Sequence, residues 1–489
     1  MRFIDERSIE RIGFNRLLSR VEILSNYGEE KLKNLKPFVP GEEEALERNF
    51  EEIQQFINFS EETDRKSFLL TLESYIHRMK NIKKLIRMVE NGNVLDEVEL
   101  FEVKVQAIYM EKLQECLQEL PAELQGFSLQ PLNKILEALD PQSDRNPTFY
   151  LYESYSRQLT ALREQRKKVE KQIYATRDYD TIVKLKEERL TFLVEEEKEE
   201  YRIRTKLSQV IAEEANIYLE NIEKIGNLDF LIAKAKFAKK YSAHKPGISR
   251  DSFFQIKKAV NMELKEMLEA KGKTYTPIGI ELGEGVTIIT GANMGGKSVA
   301  LKTITENLLL FHMGFFVIAE EASLPLVDFV FFISDDMQDI SKGLSTFGAE
   351  IMKLQEVNVF LELGKGFVVF DEFARGTNPK EGQKFVRALA KFLNGKPSIS
   401  LITTHFDGVV DSSMNHYQVV GLKNIDFELL KNRIALSNKS MELIQECMDF
   451  RLERASVEEV PKDALNIAKL IGLDEKFNEV ISQEYHKED

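Results

Sequence analysis

The stretch Val286-Thr287-Ile288-Ile289-Thr290-Gly291-Ala292-Asn293-Met294-Gly295-Gly296-Lys297-Ser298 decides the fold. From Gly291 to Ser298 it fits the phosphate-cradling pattern G-x-x-x-x-G-K-[ST]. Its flanks suit that reading. Val286 to Ile289 is a short β-branched run, expected to be a buried strand, and Val299 to Phe311 has helical spacing with no Pro or Gly. A strand, a glycine-rich turn and a helix N-terminus gather several backbone N–H groups around one anion. The glycines let the backbone approach the phosphates, Lys297 reaches the β/γ oxygens, and the Ser298 hydroxyl can ligate Mg²⁺.

Further along, Phe367-Val368-Val369-Phe370 reads as an apolar strand ending in Asp371-Glu372. A carboxylate at such a strand end can hold Mg²⁺, and the next one can orient or deprotonate a water. Asp371 is the expected metal partner and Glu372 the expected catalytic base. Ile399-Ser400-Leu401-Ile402-Thr403-Thr404-His405 reads as another strand, ending in a histidine placed to sense a γ-phosphate. Between the two strand sets lies a long polar loop, from Ser334 to Glu350, in which Ser345 or Thr346 can cap the following helix.

The chain has 489 residues, 43% hydrophobic and 30% charged, with 32 Phe and no Trp. A net charge of −14 argues against a surface coated for non-specific nucleic-acid binding, but leaves room for a local basic groove. Cys116 and Cys447 match no metal or redox spacing and read as core thiols. The charged start Met1-Arg2-Phe3-Ile4-Asp5-Glu6-Arg7 has no apolar leader core, and no run of about 18 apolar residues occurs. A cytoplasmic protein with no membrane contact is expected.

Texture changes along the chain. Residues 1 to about 225 are helical in pattern, whereas about 275 to 425 alternates β-branched runs with helical segments. Tyr150 to about Thr176 and Thr181 to about Ile225 read as two long helices joined by Arg177-Asp178-Tyr179-Asp180, forming an antiparallel hairpin. Ile203, Leu207, Ile211, Ala215, Tyr218, Ile222 and Ile225 give the second helix one apolar stripe. The first arm is basic, with Arg163, Arg166, Lys167 and Lys168, and the second carries Glu195-Glu196-Glu197-Lys198-Glu199-Glu200. Interhelical pairing explains these charges most simply; the alternative is a patch that touches nucleic-acid phosphates.

Together the motifs resemble the ATPase domain of the MutS family of DNA mismatch-repair proteins, a branch of the ABC-type ATPases. Gly291-Ala292-Asn293-Met294-Gly295-Gly296-Lys297-Ser298 carries the family's Asn-Met-Gly-Gly insert. Ser345-Thr346-Phe347 with Glu350 resembles the signature segment, which in the family reaches the partner subunit's nucleotide. Asp371-Glu372-Phe373-Ala374-Arg375-Gly376-Thr377 resembles the Walker B strand end, and Thr404-His405-Phe406 the switch histidine. Phe14-Asn15-Arg16-Leu17-Leu18 and Leu228-Asp229-Phe230-Leu231-Ile232-Ala233 are more loosely similar to parts of the helical core.

The resemblance implies ATP and Mg²⁺, a homodimer with composite sites, and Tyr275 as an adenine-stacking residue. It implies an α plus α/β architecture: a helical core (1–149), a hairpin lever (150–225), a helical return (226–270), an ABC-type ATPase domain (271–430) and a C-terminal helical extension (431–489). The family's mismatch-reading, connector and clamp domains are not matched, nor is its Arg-His-Pro element ahead of the phosphate loop. DNA is the expected load, through Arg163, Arg166, Lys167 and Lys168. The alternative is ATP-driven remodelling of a partner enzyme, such as an adenosylcobalamin-dependent amino-acid mutase.

Overall fold

The computed structural model describes residues 2–291, 296–334, 346–421, 449–455 and 477. The chain divides into two compact units. One comprises Met1–Glu22, Lys36–Glu51 and Lys236–Asp489; the other comprises Ile23–Leu35 and Glu52–Ala235.

The second unit is helical throughout its described elements. The helix Glu97–Leu117 starts in a capping box: Asp96 accepts the Glu99 N–H while Glu99 accepts the Asp96 N–H. Asp229, fully buried, accepts hydrogen bonds from Leu24 N, Ser25 N and Ser25 Oγ at 2.6–3.1 Å. A buried carboxylate needs such donors. The buried Lys104 pairs with the equally buried Asp140 at 3.0 Å, and Arg145 bridges Asp140 to Glu111.

Helices Arg157–Ala175 and Tyr179–Glu213 pack antiparallel, as the ion pairs Arg163–Glu196, Arg163–Glu200, Arg166–Glu196 and Arg189–Glu170 require. The first begins later than expected, at Arg157, because Ser156 caps it and Glu153–Tyr155 forms a separate 3₁₀ turn. The expected continuous second helix is broken at Glu214, and a new helix runs from Ala215 to Tyr241. The predicted stripe from Ile203 to Ile225 is buried in full. Cys116 is a half-buried free thiol whose pKa burial pushes up; Cys447 lies outside the described residues.

The first unit holds two sheets. Strands β1 (Gly247–Ser249), β2 (Phe254–Ala259), β3 (Ile278–Leu282) and β5 (Glu321–Pro325) form a mixed sheet in the order β1-β5-β2-β3. Within the expected helical return across 226–270, helices Ala215–Tyr241 and Met262–Ala270 flank the strands β1 and β2. In Phe254-Gln255-Ile256 apolar side chains alternate with polar, a strand period, and β3 pairs with it antiparallel. Strands β4 (Gly285–Thr290), β6 (Phe329–Ser334), β7 (Gly366–Asp371), β8 (Ile399–Thr404), β9 (Asn415–Gly421) and β10 (Asp449–Arg454) form the larger sheet, ordered β10-β9-β4-β8-β7-β6. It is parallel except where β10 runs antiparallel to β9. Every residue of β4, β7 and β8 is buried, and apart from Asp371 at the end of β7 none of them is charged. The helix Lys297–His312 follows β4 and is buried almost throughout. Val286, Ile288, Val368, Phe370, Ile402 and Val386 contribute to the core on one side of the sheet. Early residues join this unit: Phe3 O accepts Val330 N–H, and Phe38 and His312 exchange two hydrogen bonds. Among the described residues no helix is long and apolar enough to cross a membrane.

Glu306, on the helix after the phosphate loop, is 5% exposed. Burial, with Glu263 nearby, pushes its pKa up to about 8 against the opposing pull of Arg20 and Arg16. Asn261 Nδ2 donates to its Oε2 at 3.2 Å. The folded chain therefore keeps this carboxyl protonated where the unfolded chain, titrating near 4.5, has released the proton. Stability falls as pH rises from the lower value to the higher. Glu306→Gln removes that slope. Its gain over the parent, near zero at the acid end, grows by roughly 1 kcal/mol per pH unit and then levels off. Urea unfolding across this range checks it, and a gain independent of pH would contradict it.

Candidate functional site

Register builds the site. In the parallel pairings Thr290 of β4 lies opposite Thr404 of β8, and Asp371 of β7 lies opposite Thr403. The three strands end at one level. The phosphate loop leaves β4, Glu372 follows β7 and His405 follows β8, so the residues picked from separate motifs emerge along one sheet edge. Ligand sites of open α/β sheets lie at the carboxyl ends of strands.

Gly291 and Gly296 need to be glycines. Gly296 has φ +82°, and a Cβ there would lie 2.6 Å from a ring carbon of Phe450. Gly291 has φ +148°, and its Cβ would lie 3.0 Å from Val419 Cβ. Strands β9 and β10 thus wall the loop. Ala292, Asn293, Met294, Gly295 and Ser345 lie outside the described residues, as does the side chain of Thr346, the first residue of the helix Thr346–Leu361.

Lys297 is 4% exposed and donates to Gly291 O at 2.8 Å. Its Nζ lies 3.5 Å from Glu372 Oε1, and Arg375 Nη1 lies 2.6 Å from Glu372 Oε2. Burial lowers the Lys297 pKa, and Glu372 opposes that shift. Asp371 has its pKa raised by burial, against hydrogen bonds from Ser298 and Thr403 that lower it. Thr403 Oγ1 donates to Asp371 Oδ1 at 2.7 Å and accepts the Glu372 N–H at 3.0 Å. His405 is held below the ordinary histidine range by burial, with Lys297 and Arg375 adding and Glu372 opposing. Its Nδ1 is buried and has no hydrogen-bond partner among the described residues.

The donor set fits a nucleotide with Mg²⁺. Ser298 and Asp371 offer hard oxygen ligands side by side. A carboxylate burdened by burial gains from a cation, and a buried, unpartnered imidazole nitrogen suits a phosphate oxygen or a water. Among the described residues no group of three or more His, Cys, Asp or Glu could hold a metal by itself.

Tyr275 and the four basic residues of the hairpin are not among the residues that converge here. Tyr275 is half-buried; its hydroxyl accepts the Asn261 N–H at 2.9 Å and hydrogen-bonds Thr303, inside the helix that follows the phosphate loop. Arg163 and Arg166 belong to the helical unit and are taken up by Glu196, Glu200 and Glu170, with Arg163 also donating to Leu151 O. Lys167 lies on the exposed side of that helix; Lys168 is exposed as well. Sequence reading passed over Thr403, Arg375, Phe450 and the burial of Glu350. For Thr403 the signal was a hydroxyl one strand away from a strand-end Asp.

A parallel sheet with a glycine-rich turn into a helix, a strand-end Asp-Glu pair and a neighbouring histidine defines a phosphate-loop nucleotide-binding domain. Residues 287–473 match the family model of MutS domain V. Over these residues the chain is similar to the MutS family. It is 34% identical over 236 residues to endonuclease MutS2 of Geobacillus sp. (strain WCH70), which is 45% of this chain and 29% of that protein. Endonuclease MutS2 of Bacillus cytotoxicus is 30% identical over 239 residues, 48% of this chain and 29% of the relative. Endonuclease MutS2 of Bacillus mycoides is 29% identical over the same length, with the same coverage. The matches thus span less than a third of the length of these curated relatives.

Thr403→Val keeps the side-chain shape but leaves Asp371 Oδ1 and the Glu372 N–H each short of a partner. It is expected to cost about 1–3 kcal/mol in urea unfolding, while Thr403→Ser retains most of the parent stability. Equal stability of the Val and Ser variants would contradict this account of the strand ends.

Proposed function

We propose that the chain binds and hydrolyses ATP, and that it works as a homodimer with ABC-type composite sites. The observation that carries this reading is the convergence of Lys297, Ser298, Asp371, Glu372 and His405 at the ends of three adjacent strands. Lys297 and the loop amides from Gly291 to Gly296 hold the phosphates. Ser298 and Asp371 would hold Mg²⁺, which would supply charge neutralisation on the phosphates when bound. Glu372, steadied by Arg375, accepts a proton from the attacking water. His405, whose pKa burial lowers, meets the γ-phosphate through Nδ1. Tyr275 contributes a ring for the adenine, and Ser345 and Thr346 of the partner subunit close the site. Closure and opening of the paired heads would then change the angle of the hairpin of residues 150–225, acting as a lever beside a helical core of residues 1–149.

The proposed load is DNA. The MutS-family likeness and the relatives named endonuclease MutS2 support it, and Lys167 and Lys168 are exposed basic side chains of the hairpin's first arm that no ion pair described above uses. Remodelling of a partner protein is the second reading. Engagement of Arg163 and Arg166 by glutamates, together with a net charge of −14, favours it.

Lys297→Ala and Glu372→Gln should each lower ATP turnover by about a hundredfold or more, measured as phosphate release; parent-level turnover in both would overturn the site. For the load, fluorescence anisotropy with duplex DNA at two salt concentrations should give an affinity that falls steeply with salt and weakens in a Lys167→Glu/Lys168→Glu variant. No binding at the lower salt would remove the DNA reading and leave the partner-protein one.

A further inference from the structure

Glu350 lies one turn into the helix Thr346–Leu361 and is 1% exposed. Its Oε2 accepts the backbone N–H of Ala374 at 2.9 Å. That amide belongs to the turn after β7, where Glu372 and Ala374 take left-handed φ values of 51° and 61°. Neither residue is glycine. Each such conformation costs on the order of 1 kcal/mol, so it persists only where its surroundings fix it.

Several groups do so. Thr403 Oγ1 accepts the Glu372 N–H, and the Arg375 N–H reaches Glu372 O at 3.3 Å. The Thr377 N–H reaches Ala374 O at 3.4 Å, and a further hold comes from Glu350, on a helix outside both the strands and the turn. Phe347, a residue near the start of that helix, stacks its ring against Phe373 with centroids 6.4 Å apart, and Phe373 in turn meets Phe370 of β7 at 5.5 Å. A buried carboxylate is a costly way to fill space, so mere packing does not account for it. Its Oε2 is placed to accept a main-chain N–H beside the proposed base.

The geometry points to Glu350 as a positioning residue for Glu372, one that fixes the left-handed turn and ties the base to the first turns of the helix that follows Ser345. It touches none of the reacting atoms. A displacement of that helix start moves Ala374, and with it the Glu372 backbone, through one side chain. This inference rests on the hydrolysis reading above.

Glu350→Gln keeps an acceptor for the Ala374 N–H, whereas Glu350→Met fills similar volume without one. Glu350→Met is expected to bind a fluorescent ATP analogue with the parent Kd and to lose about tenfold or more in kcat, while Glu350→Gln stays within about threefold of the parent. Amide hydrogen exchange over residues 372–377 gives a reading that needs no turnover: faster in the Met variant, unchanged in the Gln variant. Parent-level kcat in Glu350→Met, equal losses in both variants, or a loss confined to Kd would each overturn the inference. If Glu350→Met does not fold, Glu350→Gln decides alone, since losing turnover or protection there contradicts the acceptor role. If the parent chain itself fails to hydrolyse ATP, the hydrolysis reading falls, and the exchange comparison still decides whether Glu350 holds the turn.

Discussion

The nucleotide-binding unit depends on the in-register parallel pairing of β4, β8 and β7. Because Thr290 faces Thr404 and Asp371 faces Thr403, the strands finish together, and the loops leaving them share one edge. A slip of one residue would turn every side chain of a strand to the opposite face. These strands are buried on both faces, so burial alone would not detect such a slip. The polar end groups do. Thr403 binds Asp371 and the Glu372 amide only in this register.

Charge at the edge is arranged by the same economy. Glu372 sits between Lys297 and Arg375, so its charge is answered from two sides. His405 feels the same two cations and the same burial, and both lower its pKa. One carboxylate and one imidazole thus share the same two cationic neighbours. Perturbed groups gathered at a strand edge are a physical mark of a working site.

Much of this was legible in the chain. The phosphate loop reads from glycine spacing, and β4, β7 and β8 read from apolar runs ending in Thr, Asp and Thr-His. The smaller sheet was less legible: β1 has only three residues, and β2 carries Lys257-Lys258 near its end, which looks like helix or loop. The membership of residues 1–22 and 36–51 in the nucleotide-binding unit could not be read either, because it rests on contacts such as Phe3 O with Val330 N. The basic arm was ambiguous for a different reason. Charge in a sequence carries no partner, and only the packed helices give Arg163 and Arg166 theirs. The tie between Glu350 and Ala374 joins residues with no shared pattern, so nothing local announces it.

The walls of the phosphate loop carry a consequence for assembly in time. Gly296 is covered by Phe450 and Gly291 by Val419, residues made well over a hundred positions later. At the usual pace of about 5–20 residues per second, the ribosome emits the loop many seconds before the strands that enclose it. The amino terminus waits too, since Phe3 pairs with Val330. Contacts this distant in sequence make for slow folding. During synthesis the chain therefore carries a run of apolar strands without their final neighbours, and its nascent form would benefit from chaperone cover until β9 and β10 arrive.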